Sequence, residues 1–393
     1  MRRVDDYLCL CLTTTLLVAC QCTSGLFAQQ ITAPLHTATP HQNPPNLSVI
    51  PQAHWDRIDD SVTRGLDYLA KQQRPNGSFP APDSGNPAIT SLGVMAFLSR
   101  GHRPGEGRYG DVLDRAVRYV LNCQQPDGVF SALPINLNDH ASHGPAQTGV
   151  YNTTISGLML GELYGMSSPR VAAEIQAALV RTLDFMARHQ QRSQAFEVNL
   201  GGVRYLHRHN TGIDADLSVT AWHVMLMRSA INAGFDVPQN QADQSIGYVR
   251  RCYVNTSGQF SYTVNEPFKV GRGMAGAGIL CLFLTGQYDS EMEARAGDYL
   301  LAESFFPYNV PNGQRDHYHY SAYYVSQAMF QLGGRYWEEF YPPFSKVLVE
   351  GQRHDGSWDA EASRHREFGN AYTTALAILA LTTPDQLLPL YQR

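Results

Sequence analysis

The feature that most constrains this chain is a short segment that recurs. Gln73-Arg-Pro-Asn-Gly77-Ser-Phe79, Gln124-Gln-Pro-Asp-Gly128-Val-Phe130 and Gln352-Arg-His-Asp-Gly356-Ser-Trp358 share one pattern: Gln, three residues, Gly, one residue, an aromatic. Each follows an amphipathic stretch that reads as a helix, and Gly ends a helix by adopting positive φ. Weaker copies close the stretches 182–191 and 246–252, the latter followed by Gly258 and Phe260. A helix over 292–304 fills one further place without the Gln. Self-similarity of this kind is the signature of a repeat architecture.

A second, more apolar stretch rich in small residues follows each copy, at 89–98, 153–164, 217–230, 275–284, 322–332 and 372–381. Aligning the segment that begins at Thr90 with the one that begins at Thr154 gives an offset of 64 residues (154 minus 90). Helices apolar on nearly all sides are buried, so these form an inner ring, and the polar-faced helices form an outer one. Strand signals are sparse. The predicted fold is all-α, an α/α toroid of six helical hairpins over residues 54–390. An open solenoid is the alternative, but neither end shows the polar cap that a solenoid needs.

The Gln…Gly-x-aromatic repeat resembles the QW motif of squalene and oxidosqualene cyclases. The chain is similar to the terpenoid cyclase and protein prenyltransferase superfamily over residues 58–381. The resemblance implies that Gln73, Gln124, Gln352 and Trp358 are structural, the Gln capping neighbouring helix ends and the aromatic stacking there. Fold does not dictate function. The site is therefore sought where each outer helix runs into an inner one, since all such loops share one mouth. Helix N-termini favour anions and acceptors at that mouth.

The third loop carries His207, His209, Asp214 and Asp216. Asp214-Ala-Asp216-Leu217-Ser218 resembles an eroded Asp-x-Asp-Asp-Thr motif of squalene-hopene cyclases, in which the middle Asp protonates an alkene. That resemblance makes Asp216 the proton donor, tuned by Asp214 or His319. The simpler reading of the residues alone makes Asp216 an N-cap beside Ser218, a role that does not exclude the other. In the fifth loop, His317, His319, Tyr320, Tyr323 and Tyr324 cluster. His319 resembles the zinc-binding His of protein prenyltransferases, but the Asp-x-Cys that accompanies it is absent at Arg272-Gly273-Met274. Neither a metal nor a cofactor is expected, although His140, His143 and His365 gather in the same class of loop. Asn152, Trp222, Arg272, His317, Tyr320, Tyr323 and Tyr372 are the expected ligand contacts, with Arg272 suited to an anion.

Residues 1–28 read as an export leader, opened by Arg2 and Arg3 and carrying an apolar stretch too short to span a membrane. Leu17-Val18-Ala19-Cys20 resembles a lipoprotein signal, which would lipidate Cys20; secretory cleavage near Ala28 is the other reading. Residues 29–53, rich in Pro, Thr, Gln and Asn, read as a tether. The expected location is periplasmic or cell-envelope, with membrane contact only through the lipid. Of 7 cysteines, the body keeps Cys123, Cys252 and Cys281, an odd set that reads as buried thiols. A net charge of −5 argues against a nucleic-acid partner. Three functions fit: an exported module binding an apolar small molecule, peptide or envelope glycan; a terpene-cyclase-like enzyme acting through Asp216; or a polysaccharide-acting enzyme.

Overall fold

The computed structural model describes residues 44–192, 196–207, 214–313 and 316–392. The expected leader with Cys20, most of the expected tether, and His209 lie outside the described residues. Twelve helices alternate along the described chain as outer and inner members of six hairpins. The outer helices are α1 (Gln52–Gln72), α3 (Gly110–Asn122), α5 (Pro169–Arg192), α7 (Gln239–Arg251), α9 (Ser290–Ala302) and α11 (Gly334–Glu350). The inner helices are α2 (Asn86–Leu98), α4 (Pro145–Tyr164), α6 (Leu217–Asn232), α8 (Arg272–Leu284), α10 (Tyr318–Leu332) and α12 (Gly369–Leu381). One two-stranded hairpin, β1 (Tyr253–Val254) with β2 (Gln259–Phe260), sits between α7 and α8.

Each inner helix packs on the next, and α12 packs back on α2, so the ring is closed. The fold is the expected all-α toroid. Every residue of α2 and α10 is buried, as helices walled on all sides require. Packed chain begins slightly ahead of residue 54, since Ile50 is buried and α1 opens at Gln52. The three body cysteines are buried free thiols. Among the described residues, no helix is long and apolar enough to cross a membrane.

The recurring Gln stitches neighbouring units together. Gln73 donates through Nε2 to the carbonyl of Gly77 in its own loop (2.9 Å) and to Val112 of the next outer helix (2.8 Å). Gln124 does the same to Gly128 and Ala178. Gln352 reaches Gly356 and, across the ring closure, Ser61 of α1, both at 2.8 Å. Gln190 is the third-unit copy, with donors on Gly201 and Gln241. Its Gly lies 11 residues on, not 4, which is why this copy reads as a weak one. Gly356 shows why the position is Gly: φ is +90° and a Cβ would strike the Arg64 carbonyl.

The second residue after the loop Gly is likewise tied to its inner helix. The backbone N–H groups of Phe79, Phe130, Val203 and Trp358 donate to the Oγ1 of Thr90, Thr153, Thr220 and Thr374. This equates Thr90 with Thr153 rather than Thr154, one residue away from the sequence alignment.

Beyond α12 the chain turns back across the ring. Gln327 and Gln331 of α10 hold Thr383 and the Tyr391 carbonyl. On the opposite side, Glu162 of α4 accepts from the Leu390 N–H and Asn232 of α6 holds the Pro389 carbonyl. Leu388, Leu390 and Tyr391 are buried there. The tail closes the C-terminal end of the inner barrel, leaving the N-terminal end as its mouth.

Candidate functional site

Five of the six inner helices begin three to eight residues earlier than their apolar runs, and the first turns of all six border the mouth. These turns and the loops before them surround a cavity of about 360 Å³. Its inner wall is apolar and aromatic: Ala88, Ile89 and Leu92 of α2, Ile155 of α4, Trp222 of α6 and Met274 of α8. Trp222 is stacked on Tyr323 (ring centroids 5.5 Å apart, 9° between planes) and Tyr323 in turn bonds Tyr391 of the closing tail. The volume is that of a small-molecule site.

A hydroxyl cluster lines one side. Tyr151 OH donates to Ser218 Oγ (2.9 Å), which shares a second hydrogen bond with Tyr320 OH (2.6 Å). Tyr205 and Tyr262 share a hydrogen bond of 2.9 Å beside it. Tyr262 OH also donates to Asp216 Oδ2 at 3.0 Å. Burial raises the pKa of Tyr151, Tyr262 and Tyr320 above the ordinary phenol value, so all three stay protonated.

Asp216 itself stands behind this wall, wholly buried and not among the lining residues. It is the N-cap of α6, accepting from the Val219 N–H (2.8 Å), and its other oxygen faces Arg204 Nε at 3.2 Å. Burial pushes its carboxyl up to about 6, against the pull of Arg204 and the hydrogen bonds. The cap expected from the residues is therefore present. Asp214 does not line the cavity either; its N–H donates to Asn199 Oδ1.

Arg272 and His319, expected at the mouth, also turn away from it. Arg272 is 1% exposed and forms a two-pronged ion pair with Asp316, stacks 4.0 Å above Phe305, and donates to the Ser304 carbonyl at 2.5 Å. Asp316 is held further by Ser321 Oγ (2.6 Å) and the Asn312 N–H (2.9 Å). His319 is fully buried between Tyr308 OH (3.2 Å) and Glu361 (3.7 Å). Glu361 caps α10 from another loop, accepting from the N–H groups of Tyr318, His319 and Tyr320. Burial raises the Glu361 carboxyl, but hydrogen bonding and His319 outweigh it and hold it below the usual range.

Of the expected contacts, Asn152, Trp222, His317, Tyr320 and Tyr372 line the cavity, while Arg272 and Tyr323 do not. Asn152 uses its amide to fix α4 on its neighbour, donating to the Ser84 carbonyl (2.7 Å) and accepting from the Ala88 N–H (3.3 Å). His317 stacks on His365 with centroids 3.5 Å apart and bonds Ser363 Oγ through Nδ1 at 2.7 Å. His143 packs against His365 and pairs with Glu367. Burial pushes His317 down to about 4 and lowers His143 and His365, so the trio is neutral near pH 7. Among the described residues no three His, Cys, Asp or Glu side chains are grouped to hold a metal ion. Tyr205, Tyr262, Arg204, Lys269 and Arg364 are lining residues that sequence reasoning missed; they lie in loops without a repeated motif.

No family model matches this sequence, and no curated protein is similar to it. Solved structures do match. The type II terpene cyclase MstE from Scytonema, in complex with its product merosterolic acid A, shares 15% identity at a TM-score of 0.53, covering 86% of this chain and 100% of that one. An inactive variant of an alpha-1,6-mannanase from Salegentibacter shares 10% identity at a TM-score of 0.56, covering 84% and 99%. A reducing-end-xylose releasing exo-oligoxylanase shares 12% identity at 0.53, covering 89% and 96%. These likenesses define the class: this chain is an α/α toroid, the fold of terpene cyclases and of several glycosidases. The three neighbours act on unlike molecules, so the reaction is a question for the cavity alone.

Proposed function

We propose that this chain is an exported toroid that holds a small, largely apolar molecule in its blind cavity. One observation carries the reading: the inner wall is apolar, and Asp316, the one carboxylate lining it among the described residues, is bound to Arg272. Alkene protonation by Asp216 is disfavoured, because that step needs a strong acid facing the substrate. Asp216 is instead a weakened acid shielded by Tyr262. Glycan cleavage normally uses two carboxyl groups across a cleft, and Asp316 stands alone and committed.

The test is mass spectrometry of molecules extracted from the natively purified protein, paired with titration of N-phenyl-1-naphthylamine, a neutral apolar fluorophore. Saturable binding that Ile155→Phe abolishes supports the reading, since Ile155 lines the cavity. Fluorophore binding unaffected by that substitution, or displacement by xylo- or manno-oligosaccharides but not by apolar molecules, refutes it. Export through the leader is part of the same proposal, checked by the N-terminal mass of the mature chain, which also reports lipid at Cys20.

A further inference from the structure

Resting on the apolar-cavity reading, we infer that the ligand carries one anionic head, a carboxylate on an apolar body, with the head at Arg364 beside His317 and His365. The charges around the cavity can be traced one by one. Of its cations, Arg204 faces Asp216 and Lys269 is paired with Glu266. Its one lining carboxylate among the described residues, Asp316, belongs to Arg272. The remaining cation is Arg364, which lines the mouth and forms no ion pair among the described residues. The nearest acids along its loop point elsewhere: Glu361 caps α10, and the half-exposed Glu367 lies against the neutral His143.

Arg364 is exposed to solvent on one side and borders the cavity on the other, and its planar donor fork matches a carboxylate. The stacked imidazoles add ring nitrogens next to it without adding charge, because burial keeps them neutral. Helices α8 and α12 open at this mouth without side-chain caps, so their N-terminal N–H groups add to the positive potential. The charge count selects the head. Among the described residues one free cation balances one carboxylate, whereas a diphosphate would bring two or three charges to that single guanidinium. The apolar wall from Ile89 to Trp222 takes the body, and both a linear fatty acid and an isoprenoid acid meet that description.

The experiment uses the full mature chain loaded with N-phenyl-1-naphthylamine and displaced by dodecanoate, dodecanol, dodecyltrimethylammonium or farnesoate at pH 7.5. Dodecanoate is expected to displace at concentrations about 10-fold lower than dodecanol, the gain of one charge-assisted hydrogen-bonded pair. Arg364→Gln should bring the two within about 2-fold of each other while leaving dodecanol unchanged, and Arg364→Lys should restore most of the preference. Farnesoate outcompeting dodecanoate assigns the isoprenoid source; the reverse assigns the fatty acid. Equal displacement by dodecanol and dodecanoate, preference for the ammonium, or a preference that survives Arg364→Gln overturns the inference. If no chain displaces the probe, the cavity reading itself falls, a distinct result.

Discussion

Glu162 ends its helix inside the closed end of the barrel, and it sets a measurable dependence of stability on pH. Its carboxylate is 2% exposed, with Ser229 Oγ donating at 2.6 Å and the Leu390 N–H at 3.0 Å. Burial pushes the group from 4.5 up to about 7, more than these two hydrogen bonds recover. An unfolded chain loses this proton near 4.5 and the folded one keeps it until about 7. Between those values the folded state binds the extra proton, so stability falls as pH rises. At about 1.4 kcal/mol per unit, the whole shift corresponds to about 3 kcal/mol, of which roughly 2–3 kcal/mol falls between pH 5 and 8.5. Glu162→Gln replaces the protonated acid with a neutral group that keeps an acceptor for Leu390. Urea unfolding of both proteins at pH 5 and pH 8.5 is the assay. The variant should match the wild type at pH 5 and exceed it by about 2 kcal/mol or more at pH 8.5. Asp216, raised to about 6, and His189, lowered to about 4, titrate in both proteins and cancel in the comparison. Parallel pH profiles for the two proteins would show that Glu162 ionises in the folded state as it does in the unfolded one.

Gly356→Ala should destabilise by roughly 2 kcal/mol or more, from positive φ and collision with the Arg64 carbonyl. Gly165→Ala, where a Cβ meets open space, should be near neutral by thermal melting. Asp216→Asn keeps an acceptor for Val219 but leaves Arg204 facing a neutral amide, costing roughly 3–5 kcal/mol in urea. Unchanged stability with loss of a catalysed reaction would instead make Asp216 the acid of an active site. Arg272→Met strands the buried Asp316 charge and should cost roughly 3–5 kcal/mol. Adding Asp316→Asn should recover part of that loss, and strict additivity of the two substitutions would refute their coupling.

The sequence by itself determined the ring. Gln73, Gln124 and Gln352 bond the Gly four residues ahead, so that half of the stitch is local and recurs as a readable word. The inner helices were legible because burial on every side demands apolar or small residues at most positions, although their first turns at the mouth were not. Tertiary structure alone decided what the mouth contains. Asp216 meets Arg204, Arg272 meets Asp316, and the backbone around His319 meets Glu361 across 12, 44 and 42 residues with no fixed spacing. A charged side chain in a loop reads the same whether it is free or committed, because its state depends on a partner that only folding brings within reach. That is why Asp216, Arg272 and His319 looked available in the sequence while Arg364, uncommitted among the described residues, went unnoticed.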